Sequence, residues 1–414
     1  MAMIINLLGI PLIFLLVWLL SESKKEFPWR IVILGTLLQF GLAFFILHVP
    51  FGVDLFRGIG DTVTIFINHS MEAAKFMYGG MVDPEKGHIF GFQFAIIISS
   101  SIIFFSAFVS ILYHYGIIQK IVYSMAWVFQ KTIKTSGVES LSAAANIFLG
   151  QTEAPLIIRH YLTTTSRSEL YSIMTVGFAT IAGGVMAAYI AMGIDATFLV
   201  TASIISAPGA LILSKIVIPP PKDSISLSEI NKIEIPESSN VLIAISNGAT
   251  DGVKLSLNII GMLIAFIAII AVLDSGMGLL SSWLSNIGIA GVPSSFKELL
   301  GYLFMPFAYL VGIPAAEAQT FGSLLGTKLA VNEFLAYSDL SELIRNGAIS
   351  ERTAIISTFA LCGFANFSSI AIQIGGIGSL VPERRNEIAQ LGIKAMLIGA
   401  LANLLTATIA SLLI

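Results

Sequence analysis

The sequence predicts an all-α polytopic membrane protein: eight transmembrane helices plus two re-entrant helical hairpins, arranged as inverted repeats, with interfacial helices. Three observations carry this prediction. First, the 414 residues are 56% hydrophobic and 11% charged, with a mean hydropathy of +0.89. A soluble domain carries about 25% charged residues, so this much apolar surface needs a bilayer as its solvent. Second, eight stretches approach the roughly 20 apolar residues that cross a membrane. Third, two more apolar segments are interrupted by a polar centre that holds a carboxylate.

The first span, 3–20, opens the chain within MAMIINLLGIPLIFLLVWLLSESKKEF. It lacks a basic leader and a small-residue cleavage site, so it reads as a retained helix rather than a signal peptide. The other spans are expected at 31–49, 89–113, 170–192, 196–217, 255–274, 353–380 and 391–413. With both termini outside, the inside loops collect most of the basic residues, including Lys24, Lys25, Arg30, Lys131, Lys134, Arg384 and Arg385. The outside segments hold Arg57, Lys75, Lys86, Lys297 and Arg345 among many acids. This bias supports the orientation. Segment 117–134, IIQKIVYSMAWVFQKTIK, mixes apolar and basic positions at helical spacing and reads as an inside interfacial helix. Segment 61–80 is expected to do the same outside. The polar, proline-led stretch 218–239 reads as a cytoplasmic linker.

The interrupted segments are 136–166, centred on LGQTEAPL, and 315–348, centred on KLAVNEFLAY. An arm of about 15 residues rises only about 22 Å as a helix, short of the hydrocarbon thickness of about 30 Å. A hairpin that enters and leaves on one side resolves the shortfall, provided its tip is buried in protein or faces a watery cavity. Each hairpin is followed by a span with a related interruption: Gly177-Phe178-Ala179-Thr180 after the first, Gly363-Phe364-Ala365-Asn366 after the second. The first hairpin falls between inside segments and the second between outside segments. Inverted repeats with broken helices place a binding site near the midplane, as secondary transporters do.

An unpaired charge inside a membrane is costly, which marks Glu153 and Glu333 for function. The structural alternative pairs them with a cation such as Arg159 or Lys328. Gln151 and Thr152 flank Glu153, and Asn332 precedes Glu333. Amides, hydroxyls and carboxylates together suit a neutral polyhydroxylated or heterocyclic ligand. Asn366, Ser368 and Ser369 sit beside Phe364 and Phe367. They serve either as ligand contacts or as polar glue between helices, and Phe364 could lie against a planar ring. Asn146, the Leu149 carbonyl, Thr180 and the Ile181 carbonyl could supply four oxygens to Na⁺ at a hairpin tip and a helix break. Glu317 is expected to be a structural hydrogen-bond partner. Cys362 is the sole cysteine, so no disulfide forms within the chain, and it reads as packing. No metal cluster, nucleophile motif or phosphate-binding glycine loop is seen, so no catalytic residue is assigned. No basic patch points to nucleic acid. A channel and an intramembrane enzyme are the rival classes.

The stretches GQTEAPL (150–156), EAQTFGSLLGTKLAVNEFLAY (317–337) and CGFANFSSIAIQIGGIGSL (362–380) resemble the concentrative nucleoside transporter family. The resemblance implies cation-coupled nucleoside uptake by an elevator-like alternating access, a homotrimer, and a bacterial inner membrane. It implies scaffold helices at 1–115 with a later one at 255–274. It implies a first transport repeat at 116–217, a linker and interfacial helix at 218–254, and a second repeat at 275–414. Gln151, Thr152 and Glu153 should meet the base, Glu333, Asn366 and Ser369 the ribose, and Phe364 should line the base pocket. Asn146, Leu149, Thr180 and Ile181 match sodium-site positions, with threonine at 180 where serine is expected. H⁺ is the alternative coupling ion, and free nucleobases are the alternative cargo.

Overall fold

The computed structural model describes residues 2–82, 89, 93–220, 240–289 and 291–414. Among them every regular element is helical. In lipid a helix satisfies its backbone polar groups internally, whereas an open strand edge does not. Among the described residues six helices are long and apolar enough to cross: Trp29–His48, Phe94–His114, Arg167–Ala191, Ala196–Val217, Val241–Asn286 and Pro382–Leu413. The two remaining expected spans, 3–20 and 353–380, fall on Ala2–Leu19 and on a pair of half-helices. The linker at 218–239 lies almost wholly outside the described residues.

Helices α1 (Ala2–Leu19) and α2 (Trp29–His48) open the chain. α3 (Pro50–Tyr78) follows at once, with Pro50 at its first turn, where a missing N–H costs nothing. It starts eleven residues before the interfacial segment expected at 61–80. Its buried residues, Gly52, Gly60, Ile67, Ser70 and Ala74, form a single narrow stripe. α4 (Phe94–His114) leads into α5 (Ile117–Thr132), the expected basic interfacial helix.

The first hairpin has α6 (Gly137–Asn146) as its entering arm. Its return arm is only α7 (Ala154–Ile157) and a 3₁₀ turn, Arg159–Tyr161. This corrects the expectation of two arms of about 15 residues each. Pro155 starts α7, and the polar run Thr163-Thr164-Thr165-Ser166 follows the turn. α8 (Arg167–Ala179) and α9 (Gly183–Ala191) are the two halves of the first broken helix, and α10 (Ala196–Val217) completes the repeat. Two capping boxes, Ser136 with Glu139 and Ser166 with Glu169, start α6 and α8. Glu139 also pairs with Lys215 on α10, both fully buried, and Lys215 Nζ donates to Ser168 Oγ at 2.8 Å.

α11 (Val241–Asn286) is one helix of 46 residues, about 69 Å long at 1.5 Å per residue. It therefore runs through the expected boundaries at 254/255 and 274/275. An apolar core of 20 residues marked the span, but not the charged and polar turns that continue the helix beyond it. α12 (Phe296–Leu310), capped by Ser295, was not expected at all. It is the second repeat's counterpart of α5. The second hairpin is α13 (Ala318–Ala330) and α14 (Glu333–Arg345), the second broken helix is α15 (Glu351–Leu361) and α16 (Phe367–Leu380), and α17 (Arg385–Leu413) closes the chain.

The order of amphipathic helix, hairpin, two half-helices and span thus occurs twice. Among the described residues three crossings separate the hairpins: α8–α9, α10 and α11. Each crossing changes side, so an odd number puts the hairpins on opposite sides, as inverted repeats require. The crossings α8–α9, α10 and α17 are enclosed by protein over 78–89% of their spanning windows, while α4 and α11 are 17–22% enclosed. The repeats therefore form the interior, with α4 and α11 at its flank.

Gly248 and Gly252 press α11 against the backbone of α4 at Ile102, Ile103, Ser106 and Ala107, with no room for a side chain. Gly252→Leu should destabilise the protein by roughly 1–3 kcal/mol through overpacking. Thermal unfolding in detergent should show a lower Tm, and an unchanged Tm would rule out this helix contact.

Candidate substrate and ion site

Two interruptions in the helices meet at the centre of the structure. α8 ends at Ala179, and Thr180 takes an extended conformation before α9. α15 ends at Leu361, and α16 restarts after Asn366. The Phe364 N–H donates to the Thr180 carbonyl at 3.3 Å, which joins one break to the other. Asn403, in the middle of α17, holds both from behind. Its Nδ2 donates to the Ala179 carbonyl at 2.7 Å and to the Cys362 carbonyl at 2.6 Å. Its Oδ1 accepts from Lys328 Nζ at 2.7 Å, and Lys328 also donates to the Ala360 carbonyl at 2.9 Å. Lys328 and Asn403 are completely buried.

The charges follow the helix ends. Glu333 is the first residue of α14, and its carboxylate faces the start of α16. Helix N-termini favour an anion. Its Oε1 accepts from the Tyr189 hydroxyl at 3.0 Å and its Oε2 from Asn366 Nδ2 at 2.9 Å. Asn366 Oδ1 in turn accepts from the Ser369 N–H at 2.8 Å and the Ser368 hydroxyl at 2.7 Å, capping α16. Lys328 sits instead at the C-terminal carbonyls of α15, where a cation is favoured. The structural alternative for Glu333, an ion pair with Lys328, is therefore not what forms: the ammonium bonds to Ala360 and Asn403. Phe364, 9% exposed, lies within the second break.

The first hairpin's tip docks on the same half-helix. Gln151 Oε1 accepts from Gln373 Nε2 at 3.0 Å. Thr152 lies against Gly376, where any side chain would collide with it. Gln151 is buried and Thr152 half-buried, while Glu153 is exposed with its carboxylate folded back toward Gly150. Arg159, its possible structural partner, has its Nε against His160. The structure thus gathers Glu333, Asn366 and the Ser369 backbone at one end of α16, and Gln151 and Thr152 further along it.

The four oxygens considered for an ion lie where this tip meets the first break. The Gly183 N–H donates to the Phe148 carbonyl at 3.0 Å, and the Ser203 hydroxyl donates to the Ile147 carbonyl at 3.2 Å. Asn146 Nδ2 donates to the Ser142 carbonyl at 3.0 Å, yet its Oδ1 is buried without a hydrogen-bond partner. An orphaned buried acceptor carries a penalty of about 1–3 kcal/mol, which a cation would remove. The Thr180 hydroxyl spends its proton on the Val176 carbonyl at 2.9 Å, leaving its oxygen lone pairs available.

Sequence reasoning missed Tyr189, Gln373 and Asn403. Each is the one amide or phenol in a mostly apolar stretch, in MAAYIAM, SIAIQIGG and GALANLLT. Glu317 has the expected structural role: it accepts from the Ser350 N–H and hydroxyl, both at 2.9 Å. Cys362 is buried, as expected for packing. A separate cavity of about 370 Å³, lined by Lys297, Asp339 and Glu342, opens among α12, α13 and α14 and contains none of these site residues. Among the described residues no group of three His, Cys, Asp or Glu could hold a metal.

Comparison with known proteins identifies this arrangement. Residues 8–81 match the family model for the N-terminus of Na⁺ dependent nucleoside transporters, and residues 198–411 match the model for the C-terminus. Residues 95–196 match a model described as a nucleoside recognition gate. The nucleoside permease NupC of Helicobacter pylori is 38% identical, covering 99% of this chain and 97% of the permease. Sodium/nucleoside cotransporter 1 of Rattus norvegicus is 39% identical, covering 99% of this chain and 64% of the cotransporter. The solved structure of CNTnw in an inward-facing substrate-bound state superposes with a TM-score of 0.93 at 36% identity, covering 100% of this chain and 98% of that one. A double variant of CNTnw in an outward-facing state gives 0.92 at 35% identity, with the same coverage. The chain belongs to the Na⁺ dependent nucleoside transporter family, and it is a membrane transporter rather than an enzyme.

Proposed function

We propose that this protein carries nucleosides into the cell by symport with Na⁺. The observation that carries the reading is that both hairpin tips converge on one half-helix, α16. Glu333 meets it at Asn366, and Gln151 meets it at Gln373. These positions are seven residues apart, so they share a face and lie about 10 Å apart along the axis. A planar base joined to a sugar offers a polar group to each end. Gln151, Thr152 and Glu153 serve the base, and Phe364 lies against it. Glu333, Asn366 and Ser369 serve the ribose hydroxyls, where a carboxylate accepts and an amide can do both. The solved relatives in inward- and outward-facing states fit alternating access.

Na⁺ is proposed to bind Asn146 Oδ1, Thr180 Oγ1 and the carbonyls of Leu149 and Ile181. The orphaned Asn146 oxygen supports this choice over H⁺. In the proposed arrangement, α5–α10 and α12–α17 form the moving transport body, and α1–α4 with α11 form the scaffold. α11 exposes Leu257, Ile264, Val272 and Leu279, an apolar face suited to lipid and to the neighbours in a homotrimer. The body would then travel as an elevator in a bacterial inner membrane.

Uridine uptake into proteoliposomes should exceed equilibrium with an inward Na⁺ gradient and not with choline. Accumulation driven only by a pH gradient would move the coupling to protons. Replacing Glu333 with Gln should cut uptake roughly ten- to hundredfold, the scale of losing a hydrogen bond to a charged group; wild-type transport would remove Glu333 from the ribose site. Asn146→Ala should weaken the Na⁺ dependence, and an unchanged Na⁺ titration would exclude the proposed ion site.

A further inference from the structure

Gln373 is completely buried on α16, and its Nε2 donates twice. One acceptor is the Met174 carbonyl on α8, at 3.0 Å. The other is Gln151 Oε1, also at 3.0 Å. An amide side chain has a nitrogen end and an oxygen end that fit a site almost equally in shape, so orientation must come from hydrogen bonding. Here the orientation is forced. A backbone carbonyl only accepts, so the Gln373 nitrogen must face Met174. That nitrogen then faces Gln151 as well, and only an oxygen can meet it. Gln151 is thereby left with its Nε2 pointing away from Gln373. Rotating Gln373 would set its oxygen against the Met174 carbonyl and Gln151 Oε1, and rotating Gln151 would set nitrogen against nitrogen, with a cost of about 1–3 kcal/mol for each group left unpaired. Space enforces the same contact. Gly177, one turn beyond Met174, lies against Gln373 Nε2 and the Gln151 Cβ, and a side chain there would displace both.

We propose that Gln373 is a specificity-determining positioning residue: it locks the Gln151 amide with its N–H group toward the base, so that the transporter selects bases presenting an acceptor there. The inference rests on the nucleoside reading. Gln373 itself touches no substrate. It fixes a dipole, and the chosen base is one with a carbonyl oxygen or bare ring nitrogen at that edge rather than an amino group. Once Gln373 is removed, Gln151 can present either end, and the preference is lost without loss of the base pocket's shape.

The test is equilibrium binding of uridine, 2-thiouridine, 4-thiouridine, cytidine and 2′-deoxyuridine to the purified full-length protein in Na⁺. Sulfur keeps the shape of a carbonyl but accepts poorly. In the wild type, one thio analogue should bind roughly three- to tenfold more weakly than uridine, the scale of one neutral hydrogen bond. In Gln373→Leu that difference should vanish. The uridine to 2′-deoxyuridine ratio, which reads the Glu333 end, should not move. A general loosening of the fold would lower both ratios together and overturn the proposal. So would a thio penalty that persists in Gln373→Leu, or its absence in the wild type. Gln151→Glu is the second variant and decides the matter if Gln373→Leu does not fold. Its carboxylate still accepts from Gln373 but offers the base an acceptor, so cytidine should gain on uridine. No shift toward cytidine would overturn the proposal. Failure of the wild type to bind any nucleoside would instead overturn the functional reading beneath it.

Discussion

The amide of Asn403 is the constraint on which the central structure depends. Breaking two helices inside a membrane strands backbone carbonyls that no water can satisfy, at a cost of several kcal/mol each. Asn403 Nδ2 has two hydrogens, and the stranded Ala179 and Cys362 carbonyls each receive one. Its oxygen accepts from Lys328, which also covers the Ala360 carbonyl. A cation at these C-terminal carbonyls offsets the negative ends of the half-helices. One side chain on α17 thus satisfies a break in each repeat, and the two breaks become a single unit.

That unit gives the binding elements a common frame. In the proposed reading, the first break offers Thr180 and Ile181 to the ion, and the second offers Phe364 and Asn366 to the nucleoside. The Phe364 N–H bonded to the Thr180 carbonyl is the direct link between them. In the proposed cycle, Na⁺ orders the first tip beside the first break, which brings Gln151 to Gln373. Any such coupling is reciprocal: the ion raises nucleoside affinity by the factor by which the nucleoside raises ion affinity.

Much of this was legible in the sequence because the membrane enforces simple rules. Apolar length marked the spans. The carboxylates Glu153 and Glu333 marked the hairpin tips, since charge is rare in such surroundings. Paired interruptions at Gly177–Thr180 and Gly363–Asn366 marked the breaks. What escaped has physical reasons too. α12 lies in an uncharged apolar run, 299–316, that is interrupted by Pro306, Gly312 and Pro314 and so does not read as a span. α11 outruns the bilayer at both ends, where its sequence turns polar. Gln373, Asn403 and Tyr189 sit in mostly apolar stretches like the scattered polar residues of any packed membrane helix, and their partners come from distant helices. Polarity hinted at a role for them, but only the fold pairs Gln373 with Gln151 or Asn403 with both breaks. The weak return arm of the first hairpin was hidden because Ala154–Ile157 is apolar enough to suggest a longer helix.

The most direct measurement is equilibrium uridine binding across a Na⁺ titration, for the wild type and for Asn403→Leu, a change of similar volume. In the wild type, saturating Na⁺ should tighten uridine binding. In folded Asn403→Leu the two breaks are no longer held together, and the tightening should shrink toward none. An undiminished Na⁺ effect in that variant would contradict the view that Asn403 makes one unit of the ion site and the nucleoside site.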